Sequence, residues 1–229
     1  MNEFILQSPY FGVMLCLASY FIGDKMCRCL KKSWLHPLPI AIILCITVLV
    51  VFRMDYQAFR TSANMLNWML TPATAALAIP LYEQITLLRR HAGAIFVSIV
   101  LGVVTSMVTV LAVRFVCSLD AMEYATFLTK SVTTPIGMPI ARELGGYEGM
   151  AAIAIVLTGV AGNVMAPGLL KRLKIEEPIA KGLAIGTCSH AVGTVRALEM
   201  GEIEGAMSSL AIVVSGLVTV VLAPAFNLI

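Results

Sequence analysis

The chain has 229 residues, 59% hydrophobic and 13% charged, with net charge +3 and mean hydropathy +0.90. A soluble domain carries about 25% charged residues, so this composition excludes one and describes a polytopic, all-α membrane protein folded as one domain over 1–229. It also excludes nucleic-acid binding, because the basic residues form no patch interleaved with aromatics and instead fall in loops.

Stretches of about 20 uncharged residues cross a bilayer. In chain order they fall at residues 4–23, 37–52, 61–82, 92–113, 149–170, 178–199 and 205–229, with a shorter apolar piece at 131–141. The start, Met1-Asn-Glu, lacks the basic region of a cleavable signal, and the first apolar stretch reads as a span. Pro37 and Pro39 open the second span, where proline suits a helix start. The six cysteines are scattered, and Cys27-Arg-Cys29 has no second pair or histidine to complete a zinc site. No metal and no cofactor are expected.

Three of these apolar segments hold small polar residues and helix breakers. They are Leu70–Pro80 (LTPATAALAIP), Lys130–Pro139 (KSVTTPIGMP) and Gly186–Thr194 (GTCSHAVGT). Unpaired backbone inside a bilayer is tolerated only against protein or a watery cavity, so broken helices point to a solute site. In the first, Pro72 and Pro80 are the expected breaks, with Asn67, Thr71 and Thr74 as lining. In the second, Pro135, Gly137 and Pro139 are the expected breaks and Ser131, Thr133 and Thr134 the donors. Lys130 suits an anion there, or else pairs with Glu123 or Asp120 at the surface. In the third, Gly186 and Gly193 are the expected breaks, and Thr187, Ser189, His190 and Thr194 the candidates for binding. Arg196 lies six residues beyond His190, off its face in an unbroken helix. Asn163 is a buried amide in span 149–170 beside Gly159 and Gly162.

Loop charge orients the spans. Clusters at Lys25–Lys32, Arg89-Arg90 and Lys171–Lys181 should be cytoplasmic. Parity then puts the N-terminus outside, the C-terminus in the cytoplasm, and Ser131–Ala141 in a re-entrant hairpin from outside. The expected fold is seven crossings plus that hairpin. Repeat A covers about 37–116, the re-entrant segment about 121–145, and repeat B about 149–229. Spans 61–82 and 178–199 are the broken middle helices of an inverted 3+3 repeat, as in many secondary transporters.

No protease, hydrolase or phosphate-loop signature appears, so no enzymatic activity is expected. Hydroxyls, amides, His190 and basic residues without an intramembrane carboxylate suit a small anion. Histidine titrates near physiological pH, which makes His190 a candidate for a coupling proton.

The same three segments, in order and with the first extended to Gln84, resemble the signature segments of the LrgB/CidB family over the whole chain. Cys188 stands where that family has alanine. The resemblance implies a multi-pass protein of the bacterial inner membrane, a homo-oligomer, acting beside a small LrgA/CidA-type partner. It implies two descriptions of activity. One is alternating-access transport of small monocarboxylates such as glycolate, glycerate, pyruvate or lactate, as in the related plastid glycolate/glycerate translocator. The other is holin- or antiholin-like modulation of murein hydrolase activity and lysis.

Overall fold

The computed structural model describes residues 8, 10–30, 37–76 and 78–229, which are helical with no strand among them. The chain forms two compact units, Met1–Ala76 and Leu77–Ile229. In the first unit, α1 (Phe11–Leu30) and α2 (Pro37–Val51) are followed by α3 (Tyr56–Ser62) and α4 (Asn64–Ala76). α1 and α2 run antiparallel: a side chain on Gly23 would meet the Pro37 carbonyl, and Cys45 reaches Ser19 at 3.3 Å. Asp55 caps α3 by accepting from the Ala58 N–H at 2.8 Å. The Ser62 hydroxyl accepts from the Gly12 N–H at 3.0 Å, tying the end of α3 to the start of α1.

In the second unit, α5 (Ala78–Glu83) packs against α11 (Glu202–Asn227). Three helices are long and apolar enough to cross a membrane: α6 (Ile85–Cys117), α9 (Glu148–Arg172) and α11. α6 shows why such helices suit lipid. Ile95, Ile99, Val103, Met107 and Val110 form a buried stripe, while Phe96, Val97, Leu101 and Val108 are exposed and equally apolar. A helix apolar all round belongs inside a bilayer. The protein is a multi-pass membrane protein.

Between α6 and α9 lies a first hairpin, made of α7 (Ala121–Phe127), a turn at 128–133 and α8 (Thr134–Glu143). Its feet sit together. The Tyr124 hydroxyl donates to the Phe226 carbonyl at 3.0 Å, and Asn227 reaches the Leu144 carbonyl at 3.4 Å. Its turn reaches back along α6, from Arg114, which lies over the Tyr124 ring, to Ser106, which contacts Ser131 at 2.8 Å. This hairpin occupies the segment expected to be re-entrant. Its breaks differ from expectation: Pro135 starts α8, and Pro139 and the buried Gly137 lie within that helix. Proline at a first helical turn removes an N–H that has no partner anyway, so the reversal falls in the turn before it.

Between α9 and α11, α10 (Pro178–Met200) does not cross. His190 adopts φ 42° and ψ −141° and interrupts the helix. Residues 178–189 and 191–200 then run back along each other. A Cβ on Gly193 would lie 2.9 Å from the Ile185 side chain, whereas eight residues of continuous helix span about 12 Å. Ile185 and Ala197 share one apolar cluster with Leu170. The first limb seats Gly182 and Gly186 directly on the α11 backbone at Glu204 and Ser208, and the second limb places Leu198 against Gly205. The expected crossing by residues 178–199 is therefore corrected to a second hairpin, and the seven-crossing 3+3 count goes with it. Gly186 and Gly193 are close-packing positions within the limbs, and the break falls between them.

The two hairpins enter from opposite ends of the unit. One end carries Arg114, Asp120, Glu123, Arg142, Glu143 and Glu148. Lys171, Lys174 and Lys181 gather with Met200 and Glu204 around a cavity of about 400 Å³ at the other end, where Arg89 and Arg90 lie in the first turns of α6. On a background with the native cysteines replaced, Lys171→Cys and Glu199→Cys should react with an impermeant thiol reagent from the same side of the membrane. Glu143→Cys should react from the opposite side. Labelling of Glu199→Cys together with Glu143→Cys would restore a crossing α10.

Candidate functional site

The chain reverses at His190 where water cannot pair its backbone. The groups that replace water come from α9 and α11. His190 is 3% exposed, and its Nε2 lies 3.0 Å from the Ile155 carbonyl. A carbonyl only accepts, so Nε2 carries the proton. The Thr194 hydroxyl bonds to the His190 carbonyl at 2.9 Å and the Ser208 hydroxyl at 2.8 Å. Asn163 donates to the Val192 carbonyl at 2.8 Å. α9 makes room for the reversal with glycine: Gly159 faces the His190 ring and Gly162 faces Ser189. A non-glycine residue in this region of φ/ψ stores about 1–3 kcal/mol, which these contacts hold in place.

The first hairpin's turn reaches the same depth. Lys130 Nζ donates to Ser106 Oγ and to Ser131 Oγ, both at 3.1 Å. Asp120 and Glu123 form a reciprocal capping box at the start of α7, so the surface pairing with Lys130 is not made. A void of about 10 Å³ between the two hairpins is lined by Ser106, Ser131, Thr187, Ser215 and Thr219 together with Val103, Met107, Leu128 and Val132. Beside it lies a larger cavity of about 610 Å³, bordered by α6, the turn at Lys130-Ser131, α9 and the tip at Cys188-Ser189. Lys130 is the one charged residue lining it, among the described residues.

The expected site residues separate into groups. Ser131 and Ser189 line the large cavity, and Thr187 lines the adjoining void. His190, Thr194 and Asn163 brace the reversal and are absent from the cavity wall. Thr133 caps α8 through its carbonyl, which accepts from Gly137 at 2.8 Å, and Thr134 opens that helix. Arg196 faces away, pairing with Glu199 at 2.7 Å, with its buried Nε unpartnered among the described residues. α4 runs through Pro72 without a break, because a helix accommodates proline by leaving the carbonyl one turn back unpaired and bending. Pro80 lies within α5. The side chains of Asn67, Thr71, Thr74 and Pro80 lie outside the described residues.

Sequence reasoning left α6 out of the site. Gly102, Ser106 and Thr109 recur at helical spacing and face the cavity, with Thr105 beside them. That polar stripe in an otherwise apolar span was a readable signal. Of the two cations the sequence offered, Lys130 lines the cavity and Arg196 does not.

The LrgB-like family model matches residues 16–228. The chain belongs to the LrgB family. Relatives named antiholin-like protein LrgB, from Bacillus mycoides (strain KBAB4), Bacillus cereus (strain B4264) and Bacillus anthracis (strain CDC 684 / NRRL 3495), are each 37% identical over 221 residues. The match covers 96% of this chain and 96% of each relative. No solved structure matches. The relatives' name matches the antiholin-like of the two descriptions that the resemblance implied.

Two glycines of α9 test the seat of the reversal. A Cβ at Gly159 would lie 2.6 Å from His190 Cε1 and 2.9 Å from Nε2, whereas one at Gly168 meets nothing within 4 Å. Gly159→Ala should therefore cost about 1–3 kcal/mol in thermal unfolding in detergent. Gly168→Ala should be neutral or stabilise by up to about 1 kcal/mol.

Proposed function

We propose that this LrgB protein carries a small monocarboxylate across the membrane by alternating access. The observation that carries the reading is the meeting of two oppositely directed hairpins at one cavity whose lining charge is Lys130. Each span with its following hairpin, 85–143 and 148–200, reads as one unit of an inverted pair, the arrangement that suits alternating access. At each tip the carbonyl end of one limb offsets the amide end of the other, so the attraction for an anion rests on Lys130 rather than on helix dipoles. Basic residues favour the cytoplasmic side. The end bearing Arg89, Arg90, Lys171, Arg172, Lys174 and Lys181 is then cytoplasmic, the first hairpin enters from outside, and the C-terminus moves from the expected cytoplasmic side to the outside.

A second reading is that the protein acts as an antiholin-like membrane protein modulating murein hydrolase activity, together with an LrgA/CidA-type partner. The printed name of its relatives favours this reading over transport. The two readings meet if anion flux is the molecular act and lysis control its consequence.

Purified protein in proteoliposomes loaded with labelled pyruvate or glycolate and a large dye separates them. A carrier gives saturable carboxylate flux while the dye stays inside. Dye release in step with carboxylate release would indicate a membrane lesion and remove the carrier reading.

A further inference from the structure

The large cavity is polar at one end only. At the level of the hairpin tips, Lys130 spends two of its three N–H groups on Ser106 and Ser131, which leaves one for a ligand. No carboxylate lines the cavity, and the ion pairs recorded among the described residues do not involve Lys130. An ammonium at membrane depth without a counter-charge is costly, and a bound anion supplies that charge.

Away from the tips, towards the end bearing Lys171, the wall changes character. It continues along Met165, Leu169 and Leu170 of α9 and Ile185 of the second hairpin. From Gly162 to Leu170 this apolar run covers about 12 Å of helix. The cavity of about 610 Å³ holds on the order of twenty water volumes, far more than a two- or three-carbon acid fills. Such an acid would satisfy Lys130 and leave the exposed side chains of Met165 and Leu169 uncovered.

We propose that the site takes an amphipathic monocarboxylate, its head on Lys130, Ser106 and Ser131 and its aliphatic body along Met165, Leu169 and Ile185. An aliphatic body of about four to eight carbons lies within the length of the wall. The proposal deepens the carrier reading and rests on it for the claim that the bound anion is cargo, but not for the claim that it binds. Each methylene laid on that wall should tighten binding by up to about fourfold.

Cys188 provides a reporter that does not depend on transport. It is exposed and lines the same cavity as Lys130. The full chain in detergent would be alkylated with N-ethylmaleimide, and the Cys188 peptide followed by mass spectrometry, with glycolate, butyrate, hexanoate, octanoate or neutral hexanamide present. The expected result is protection that improves two- to fourfold per methylene from butyrate onward, is weak for glycolate and is absent for hexanamide. Lys130→Gln should abolish it. Leu169→Ser should flatten the chain-length dependence while leaving butyrate protection in place, which keeps the test sound if Lys130→Gln does not fold. Equal protection by glycolate and hexanoate, protection by hexanamide, or protection that survives Lys130→Gln would overturn the proposal. Protection without flux in proteoliposomes would support the site and remove the carrier reading alone.

Discussion

Every feature of the second unit depends on one demand of the bilayer: a chain that turns back at membrane depth must find protein partners for its polar groups. The reversal at His190 meets it with the Ile155 carbonyl, the Thr194 hydroxyl and the Asn163 amide. Those partners fix where α9 and α11 must pass, and α9 must carry glycine where the ring and Ser189 press against it. The first hairpin meets the same demand with fewer groups, because Pro135 removes one donor and the Thr133 carbonyl accepts from Ile136 and Gly137. The cavity is the space left where two such turns, each satisfied by its neighbours, come close without interdigitating.

This account divides the polar residues of the breaks into two kinds. His190, Thr194 and Asn163 look inward and hold the backbone. Lys130, Ser131 and Cys188 face the cavity, while Ser189 borders it with its side chain against Gly162.

Much of the architecture was legible in the sequence, and the reasons are physical. Hydropathy found α6, α9 and α11, because apolar length is the dominant membrane signal. Charge parity found the first hairpin, because two flanking spans had to be reconciled. Parity could not find the second. Residues 178–199 are long enough to cross, and Lys181 and Arg196 could serve as anchors at either end of a span. The deciding fact, a left-handed φ at a histidine, has no sequence signature, since glycine is the residue that marks such backbone and here glycines flank it on both sides. Proline misled in the opposite direction. Pro72 and Pro139, both expected as breaks, sit inside continuous helices, because a single missing hydrogen bond bends a well-packed helix more readily than it ends it.

α9 is joined tightly to a hairpin at each end. At one end the Tyr147 N–H donates to Thr126 Oγ1 at 2.7 Å and Arg142 pairs with Glu148 at 3.8 Å. At the other the Ile175 N–H returns to the Leu170 carbonyl at 3.0 Å and leads straight into Pro178. Under the carrier reading proposed above, a helix of 25 residues held in this way would act as a lever with a hairpin on each arm. Tilting it about its glycine-bearing middle would lift one tip as it lowers the other. Opening towards one compartment and closing towards the other would then be a single motion, with no separate gates to synchronise.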